Sequence, residues 1–279
     1  MGPRRLRLDA ELVRRGLARS REHASELIAA GRVTVAGARA LKPATGVTTD
    51  VALVVADDVD DPGYVSRGAH KLVGALDAFG VHGLAVEGRR CLDAGASTGG
   101  FTDVLLRRGA REVVAVDVGY GQLAWQLRSD ERVIVHDRTN IRDLTVETIA
   151  GPVDLVVGDL SFISLTLVID ALAGVTREDG DLALMVKPQF EVGRERVGKG
   201  GVVRDVGLRA EAVADVIAAA ARRGWHARMV ATSPLPGPSG NVEFFVWLRR
   251  DALGLSAEEI ERTVATAGVS SVADERVDP

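Results

Sequence analysis

Short apolar runs alternate with amphipathic segments between residues 89 and 248, and this pattern predicts the main fold of the chain. Strands that alternate with helices over short loops are typical of a parallel sheet covered by helices on both faces. The apolar runs predict seven strands, at residues 90–94, 112–118, 133–136, 153–159, 181–187, 225–232 and 242–248. The amphipathic segments predict helices near residues 99–108, 121–128, 145–150, 163–173 and 205–223.

The last connection differs from the others because the segment SPLPGPSGN, residues 233–241, leaves no room for a helix. The seventh strand should therefore return beside the sixth in the antiparallel direction. We expect an α/β fold with a Rossmann-like seven-stranded sheet whose last strand is antiparallel.

A second pattern, of shorter elements, fills the amino-terminal part of the chain. Asp9 is expected to cap a helix over residues 10–15, and Ser20 to cap a helix over residues 21–30 that ends at Gly31. Two short strands are predicted there as well, at residues 32–35 and 51–55.

These patterns divide the chain into four parts. The segment DDVDDPGYVSRG is acidic and contains Pro and Gly, which is typical of a linker. Ser256 is expected to cap one short helix near the end of the chain. The predicted parts are a small α+β domain at residues 1–60, a linker at 61–68, a main domain at 69–250 that opens with a helix at 69–79, and a tail at 251–279 with a helix at 257–267.

The composition of the 279 residues, 46% hydrophobic and 27% charged, is that of a globular protein. Cys91 is the single cysteine, so the sequence has no internal disulfide and no cysteine cluster for a metal. No apolar stretch approaches the ~18 residues of a membrane-spanning helix, and the basic amino terminus lacks the apolar region of a signal peptide. We therefore expect a cytoplasmic protein with neither a membrane nor a metal partner.

Charge is distributed unevenly along the chain. The first 42 residues hold ten Lys and Arg against four Asp and Glu, although the whole chain has a net charge of −4. A basic head on an acidic body suggests contact with a polyanion such as RNA. A solvated charged face is the alternative.

The segment CLDAGASTGGFTDVLL, residues 91–106, joins a strand, a glycine-rich loop and the start of a helix. A dinucleotide-binding fingerprint would need glycine where this chain has Ser97. The D-x-G-x-x-x-G form resembles motif I of S-adenosylmethionine-dependent methyltransferases, and tight packing alone is the alternative. The resemblance implies cofactor contacts at Asp93, Gly95, Ala96, Ser97, Thr98, Gly99 and Gly100.

Polar residues after the next two strands extend this candidate site. Asp117 lies 22 residues after Gly95, where a carboxylate can accept hydrogen bonds from both ribose hydroxyls of an adenosine, as also occurs in NAD enzymes. The predicted sheet resembles the class I methyltransferase fold, in which the end of strand three contacts adenine. Asp137 and Asn140 are the candidates for that contact, with a simple role in a turn as the alternative.

Four ionisable residues occupy positions that this fold would bring together. Lys71 lies on the helix before the sheet, Asp159 and Lys187 end the fourth and fifth strands, and Glu243 lies in the seventh. Ligands and catalytic groups gather at the carboxyl ends of parallel strands. Each residue also has an ordinary structural interpretation, as a surface lysine, a strand-end cap or an edge-strand charge.

Together, Lys71, Asp159, Lys187 and Glu243 resemble the catalytic tetrad of FtsJ-like ribose 2′-O-methyltransferases. The segments SRGAHKL, DLSFISL, VKPQFEVG and PSGNVEFFVWL resemble one branch, the TlyA or haemolysin A rRNA methyltransferases. The head resembles the S4 RNA-binding domain. These resemblances imply methyl transfer from S-adenosylmethionine to the 2′-hydroxyl of cytidine in 16S and 23S rRNA, within 30S and 50S subunits and without a metal.

In this chemistry the 2′-hydroxyl attacks the methyl carbon in line, and Lys187 is the candidate group to accept or stabilise the leaving proton. The basic segment at residues 190–205 is expected to be a mobile loop over the target nucleotide, with a plain connection as the alternative. The candidate RNA-binding residues are Arg5, Arg7, Arg14, Arg15, Arg19, Lys42, Arg67, Arg194 and Lys199.

Three other functions are considered. An NAD-dependent oxidoreductase would share the fold and Asp117, but Ser97 weighs against it. A membrane-active haemolysin would need broader apolar helical faces than the basic helices offer. An RNA-binding module with an inactive enzyme domain is disfavoured by the intact set of four ionisable residues.

Overall fold

The computed structural model describes residues 5–18, 20–56, 62–237 and 239–267. The chain divides into two compact units, Met1–Arg67 and Gly68–Pro279.

The first unit packs two helices beside short strands. Apolar side chains of the helices and of the central strand, among them Leu8, Leu12, Leu27 and Val33, form its buried core. Two short strands pair with each other, β1 with β4, and three more form a sheet with β2 in the centre. The elements are β1 (Leu6–Arg7), α1 (Leu8–Arg14), α2 (Arg21–Ala29), β2 (Val33–Val35), β3 (Ala38–Arg39), β4 (Gly46–Val47) and β5 (Leu53–Val55).

The beginning of α1 differs from the prediction. Arg7, not Asp9, is the N-cap residue, and it makes no side-chain cap. Asp9 lies within the helix and is buried, where its carboxylate accepts hydrogen bonds from Arg7 and Arg21. The prediction for α2 is confirmed, because Ser20 Oγ accepts a hydrogen bond of 3.1 Å from the His23 amide.

The second unit is built on a seven-stranded sheet with the order β11-β12-β10-β9-β6-β7-β8. β12 lies between β10 and β11 and is antiparallel to both. The neighbouring pairs among β10, β9, β6, β7 and β8 are parallel, so the predicted fold class is confirmed. The strands are β6 (Arg90–Ala94), β7 (Glu112–Val116), β8 (Val133–His136), β9 (Val153–Gly158), β10 (Thr176–Val186), β11 (His226–Thr232) and β12 (Phe244–Arg249).

The α-helices of this unit follow the predicted spacing, except that the helix Pro188–Glu191 was not predicted and three predicted helices are shortened or absent. The capping box predicted for the last helix is present, with Ser256 and Glu259 bonded to each other's backbone amides. The helices are α3 (Gly68–Gly80), α4 (Gly100–Arg107), α5 (Trp125–Arg128), α6 (Ile169–Val175), α7 (Pro188–Glu191), α8 (Val206–Ala221) and α9 (Ala257–Thr266).

Three predicted helices are shortened or absent. Residues 146–150 form turns, because a six-residue segment followed by Gly151 and Pro152 is too short to sustain a helix. The helix predicted at 121–128 is reduced to α5. The one predicted at 163–173 becomes a 3-10 helix, Leu165–Leu167, followed by α6, because Ser164 caps the shorter turn.

Register places the carboxyl ends of the central strands side by side. Ala94 of β6 pairs with Gly158 of β9, and Gly158 pairs in turn with Leu184 of β10. On the other side of β10, Val186 pairs with Phe244 of β12. The segments that follow β6, β9 and β10 therefore emerge at one edge of the sheet, next to the start of β12.

Candidate active site

The glycine loop after β6 allows close approach of neighbouring chain. Gly95 has a φ of +84°, and a Cβ there would lie 3.1 Å from the carbonyl oxygen of Asp159. Gly99 has a φ of +99°, and a Cβ there would overlap with the Leu127 side chain. Ser97 adopts a φ of +48° without being glycine. The loop is thus held in a conformation that larger side chains at Gly95 and Gly99 would disrupt.

Backbone hydrogen bonds fix the rest of this loop. The amides of Gly95 and Ala96 both donate to the carbonyl of Val116, over 2.9 and 3.1 Å. The carbonyl of Thr98 accepts a hydrogen bond of 3.1 Å from the Ala124 amide, and the Thr98 side chain is exposed. Gly100 then begins α4. The loop leaves exposed polar atoms beside a rigid backbone, which suits a small-molecule ligand.

Asp93 is fully buried at the carboxyl end of β6. Its Oδ2 accepts a hydrogen bond of 2.7 Å from Thr102 Oγ1, whereas its Oδ1 has no hydrogen-bond partner among the described residues. Burial raises the pKa of this carboxyl to about 7. An unpartnered buried oxygen beneath the glycine loop is consistent with a polar or cationic ligand there.

Asp117, the candidate ribose ligand, holds the loop through both of its carboxylate oxygens. Its Oδ2 accepts a hydrogen bond of 2.8 Å from the Ser97 amide, and its Oδ1 one of 2.7 Å from the Gly119 amide. A carboxylate oxygen has two acceptor positions, so each oxygen can still accept a second hydrogen bond. A ribose diol would therefore meet an acceptor that the backbone has already oriented.

Asp137 and Asn140 are both engaged in local structure. Asp137 Oδ2 accepts a hydrogen bond of 3.2 Å from the Gly121 amide and pairs with Arg128. Asn140 caps a 3-10 helix, where its Oδ1 accepts from the Arg142 amide over 3.0 Å. These contacts match the alternative role in turns, and contact with adenine stays a prediction.

The four ionisable residues form two ion pairs. Lys71 Nζ donates to Glu243 Oε2 over 2.5 Å, and both side chains are buried. Lys187 Nζ lies 2.5 Å from Asp159 Oδ1 and donates to Ser161 Oγ over 2.8 Å. Each lysine is therefore held in a fixed position by an acid from a different element.

Strand register brings these two pairs together. Val186 pairs with Phe244 at the end of the antiparallel ladder between β10 and β12, and Lys187 and Glu243 are the chain neighbours of this last pair. Asp159 follows the neighbouring strand β9, so all four residues meet at one edge of the sheet.

The pairing balances charge in a place with little solvent. Two ammonium groups face two carboxylates, which compensates in part for the loss of hydration of each ion. Glu243 Oε1 is buried and, among the described residues, has no hydrogen-bond partner. A Cβ at Gly237 would lie 2.5 Å from that oxygen, so glycine is needed there.

Two aromatic residues beside this cluster were missed by the sequence analysis. Phe162 is 91% exposed and has a φ of +65°, which is strained for an aromatic residue. Its ring centroid lies 5.2 Å from that of Phe190, which is itself 5.9 Å from Lys187 Nζ. The available signal was the aromatic residue in each of DLSF and KPQF, next to the catalytic candidates.

Glu191 was missed as well, and it joins the two segments that carry Asp159 and Lys187. Its carboxylate accepts hydrogen bonds from Ser164 Oγ over 2.5 Å and from the Leu165 amide over 2.9 Å. Burial raises the pKa of this carboxyl. The contact fixes the position of the segment after β9 relative to the segment after β10.

Several predicted RNA-binding arginines of the first unit are paired with buried acids. Arg7 donates to Asp9, and Arg14 and Arg15 donate to Glu11. These guanidinium groups lower the pKa of Asp9 and of Glu11 to about 2. Both acids therefore stay ionised and hold the arginine side chains in place.

Arg14 and Arg15 differ in how much of the side chain is exposed to a ligand. The Arg14 side chain is 55% exposed, whereas that of Arg15 is 22% exposed. Arg15 also donates to the carbonyls of Val51 and Thr49, over 2.7 and 2.9 Å. Arg15 is therefore mainly a structural residue, and Arg14 is open to a phosphate.

The other predicted RNA-binding residues are exposed where the structure describes them. Arg67 lies 3.3 Å from Glu26, in the first unit. Arg19 lies outside the described residues. The other predicted RNA-binding residues are Arg5 and Lys42 of the first unit and Arg194 and Lys199 of the second, and all four are exposed.

Two kinds of feature are absent from the described ranges, which are 5–18, 20–56, 62–237 and 239–267. They hold no group of three or more His, Cys, Asp and Glu side chains that would hold a metal ion. They also hold no helix with the length and apolar character needed to cross a membrane.

Comparison with known proteins adds to this geometry. The FtsJ-like methyltransferase model matches residues 64–250, and the S4 domain model matches residues 6–51. The 16S/23S rRNA (cytidine-2′-O)-methyltransferase TlyA of Mycobacterium tuberculosis is 61% identical over 95% of this chain and 97% of its own. Hemolysin A of Brachyspira hyodysenteriae is 36% identical over 86% of this chain and 98% of its own.

A solved structure from Streptococcus thermophilus, described as a candidate hemolysin, is also similar. It superposes with a TM-score of 0.74 at 37% identity, over 95% of this chain and 96% of its own.

Proposed function

The chain belongs to the FtsJ-like methyltransferase family, and from that premise we propose that it methylates the ribose 2′-hydroxyl of cytidine in ribosomal RNA. The observation that carries the proposal is a pair of ion pairs at one edge of the sheet, Lys71–Glu243 and Lys187–Asp159. They lie at the edge from which the glycine loop also emerges. The relative from M. tuberculosis, which bears that activity in its name, supports the same reaction.

The site fits S-adenosylmethionine as the methyl donor. Gly95 and Gly99 let the loop pack tightly against Asp159 and Leu127, and Asp117 offers oriented acceptors for a ribose. When bound, the sulfonium supplies a methyl group that is already activated for nucleophilic attack. The protein therefore has to position the nucleophile and manage one proton.

Lys187 is the group we propose for that proton. Its Nζ is held between Asp159 and Ser161 at the end of β10. Lys187 can take the hydroxyl proton only as a neutral amine, so its ammonium first gives up one proton to solvent. The 2′-oxygen then bonds to the methyl carbon as the carbon–sulfur bond breaks, and the hydroxyl proton passes to the Lys187 amine. Glu243 is the residue we propose to contact the ribose, and the hydrogen bond from Lys71 Nζ holds its carboxylate in position.

The first unit supplies RNA binding in this proposal. It matches the S4 domain and presents Arg5, Arg7, Arg14 and Lys42 on exposed positions. The name of the M. tuberculosis relative covers both 16S and 23S rRNA, so the proposed substrates are the 30S and 50S subunits. A cytoplasmic location follows from those substrates.

The test is methyl transfer from radiolabelled S-adenosylmethionine into unmodified 30S and 50S subunits, followed by identification of the labelled nucleoside. The wild type should label 2′-O-methylcytidine, and a Lys187→Ala variant that still binds the cofactor should not. Label in a protein or in a base would overturn the proposal. Tighter binding of NADH than of S-adenosylmethionine, or vesicle leakage at low protein concentration, would favour the oxidoreductase or the haemolysin instead.

A further inference from the structure

A basic hairpin, defined here as residues 193–204, follows the segment that carries Lys187. Gly198 and Val202 form an isolated antiparallel bridge within it, and the Gly201 amide donates to the Gly198 carbonyl over 3.0 Å. Gly200 and Gly201 both have positive φ values, of +79° and +77°. These glycines make the turn possible but give it little stiffness of its own.

Asn241 helps to fasten the basic hairpin to the rest of the unit, beside the buried Val203, which packs against Val192 and Ala212. The Asn241 side chain is almost completely buried, with 2% of the residue exposed. Its Oδ1 accepts a hydrogen bond of 2.9 Å from the Val203 amide, and its Nδ2 donates to the Gly201 carbonyl over 2.8 Å. Only an amide side chain offers an acceptor and a donor in this arrangement.

The position of Asn241 ties this attachment to the active site. Asn241 lies two residues before Glu243, whose carboxylate pairs with Lys71. The carbonyl of Asn241 also accepts a hydrogen bond of 2.9 Å from the Gly237 amide, the glycine that lies against Glu243. The hairpin is thus fixed to the chain segment that carries one of the four candidate catalytic residues.

Some basic residues of the hairpin already form hydrogen bonds or ion pairs within the protein, and others do not. Arg196 pairs with Glu211 over 2.5 Å and donates to the Val192 carbonyl over 2.8 Å. Arg204 donates to the Lys199 carbonyl over 3.3 Å. The side chains of Arg194 and Lys199 are exposed and have no hydrogen bond or ion pair with any residue that the structure describes.

We propose that Asn241 is a positioning residue, which holds the basic hairpin so that Arg194 and Lys199 bind phosphates of the rRNA segment around the target cytidine. The inference rests on the proposed function and deepens it. Two cations on an unanchored glycine-rich turn would have to be ordered when RNA binds, and that ordering would weaken binding. The hydrogen bonds of the buried Asn241 side chain order the hairpin before RNA binds.

The test compares Asn241→Ala with the matched control Arg196→Gln, which removes a cation that is already paired within the protein. Asn241→Ala should raise the KM for the ribosomal subunit about tenfold or more, as expected for lost charged hydrogen bonds, with kcat and S-adenosylmethionine affinity little changed. The log–log salt dependence of subunit binding should become shallower by about 1.4–1.8, the value for two phosphate contacts. Arg196→Gln should change neither quantity appreciably.

A triple variant separates positioning from a general structural effect. If Asn241 acts through the two cations, adding Arg194→Gln and Lys199→Gln to Asn241→Ala should cause little further loss. Trypsin should also cleave after Lys199 faster in Asn241→Ala than in the wild type. Should Asn241→Ala fail to fold, Asn241→Asp keeps the acceptor for Val203 and loses the donor to Gly201, and should show an intermediate effect.

Unchanged KM and unchanged cleavage in Asn241→Ala would overturn the inference, and so would a fully additive loss in the triple variant. Failure of the proposed function looks different. In that case the wild type would transfer no methyl group to either subunit. Trypsin cleavage and direct subunit binding would still show whether Asn241 anchors the hairpin and whether the hairpin binds RNA.

Discussion

Lys187 and Glu243 adjoin the last residue pair of the antiparallel ladder between β10 and β12, Val186 with Phe244, although each is bonded to a different partner. The relationship depends on the insertion of β12 between β10 and β11. Because β12 runs against its neighbours, its first residues meet the last residues of β10. The antiparallel strand thus delivers an acid to the edge at which the parallel strands deliver Asp159 and Lys187.

The first prediction concerns the proton acceptor. Lys187→Ala should lower the rate of methyl transfer about 10²–10⁴-fold, the usual contribution of a positioned acid–base group, while S-adenosylmethionine binding persists. Lys187→Arg should not restore activity, because a guanidinium does not lose its proton in the accessible pH range. Single-turnover methylation of isolated subunits measures both. A Lys187→Arg enzyme with near wild-type rate would show that only positive charge is needed.

The second prediction concerns the buried ion pair. Lys71→Met leaves the Glu243 carboxylate buried without its cation and should lower the free energy of unfolding by about 3–5 kcal/mol. The double variant Lys71→Met/Glu243→Leu should recover much of that stability and none of the activity. Urea unfolding and methylation assays on the same preparations provide the comparison. Equal stability losses in the single and double variants would contradict it.

The third prediction uses two glycines with similar φ angles and different surroundings. Gly99 has a φ of +99° and Gly83 a φ of +103°, but a Cβ at Gly83 would have no atom within 4 Å. Gly83→Ala should cost about 1–3 kcal/mol for the strained backbone alone. Gly99→Ala should cost about 1–3 kcal/mol more, because its Cβ collides with Leu127 and Leu123.

Only Gly99→Ala should also weaken S-adenosylmethionine binding, since only it displaces the glycine loop. Isothermal titration with the cofactor measures this, and Gly83→Ala is the matched control. Equal affinities in the two variants would show that the loop is not the cofactor site.

Much of the second unit was predictable because its determinants are local. The strand at residues 90–94 and the strand at residues 133–136 have the predicted bounds, although the second is a half-buried strand at the edge of the sheet. The positions of Asp159 and Lys187 followed from the rule that parallel strands end at one edge. Ser256 and Glu259 were predicted as a cap from their spacing alone.

Features that depend on contacts between distant segments were not predictable. Asp9 has the chemistry of an N-cap, yet Arg7 and Arg21 draw its carboxylate into an ion pair inside the helix. Arg15 resembles a surface cation in the sequence, but its guanidinium bonds to carbonyls more than 30 residues away. The positive φ of Phe162 has no sequence signal, since glycine is the residue expected at such a position.

The fourth prediction concerns pH and Asp93. Burial raises the pKa of this carboxyl from 3.8 to about 7, so the folded protein holds a proton there that the unfolded chain has lost. This contribution to stability is fully present below pH 3.8 and is lost as the pH rises through about 7. At about 1.4 kcal/mol per pKa unit, the loss amounts to a few kcal/mol.

Asp93→Asn removes the titrating group and keeps an acceptor for Thr102. The stability of the wild type relative to Asp93→Asn should therefore fall between pH 5 and pH 8, as measured by urea unfolding at each pH. A difference that stays constant over this range would mean that Asp93 is ionised throughout.

The last prediction separates two neighbouring arginines of the first unit. Arg14 and Arg15 share Glu11, but Arg14 is open to solvent and Arg15 is bonded to the backbone of the segment before β5. Arg14→Gln should make the log–log salt dependence of subunit binding shallower by about 0.7–0.9, the value for one phosphate contact. Arg15→Gln should chiefly lower the thermal stability of the unit, because it leaves the Val51 and Thr49 carbonyls without their donor. Filter binding over a range of salt concentrations, beside thermal unfolding, distinguishes the two roles, and a salt slope changed by Arg15→Gln alone would reverse the assignment.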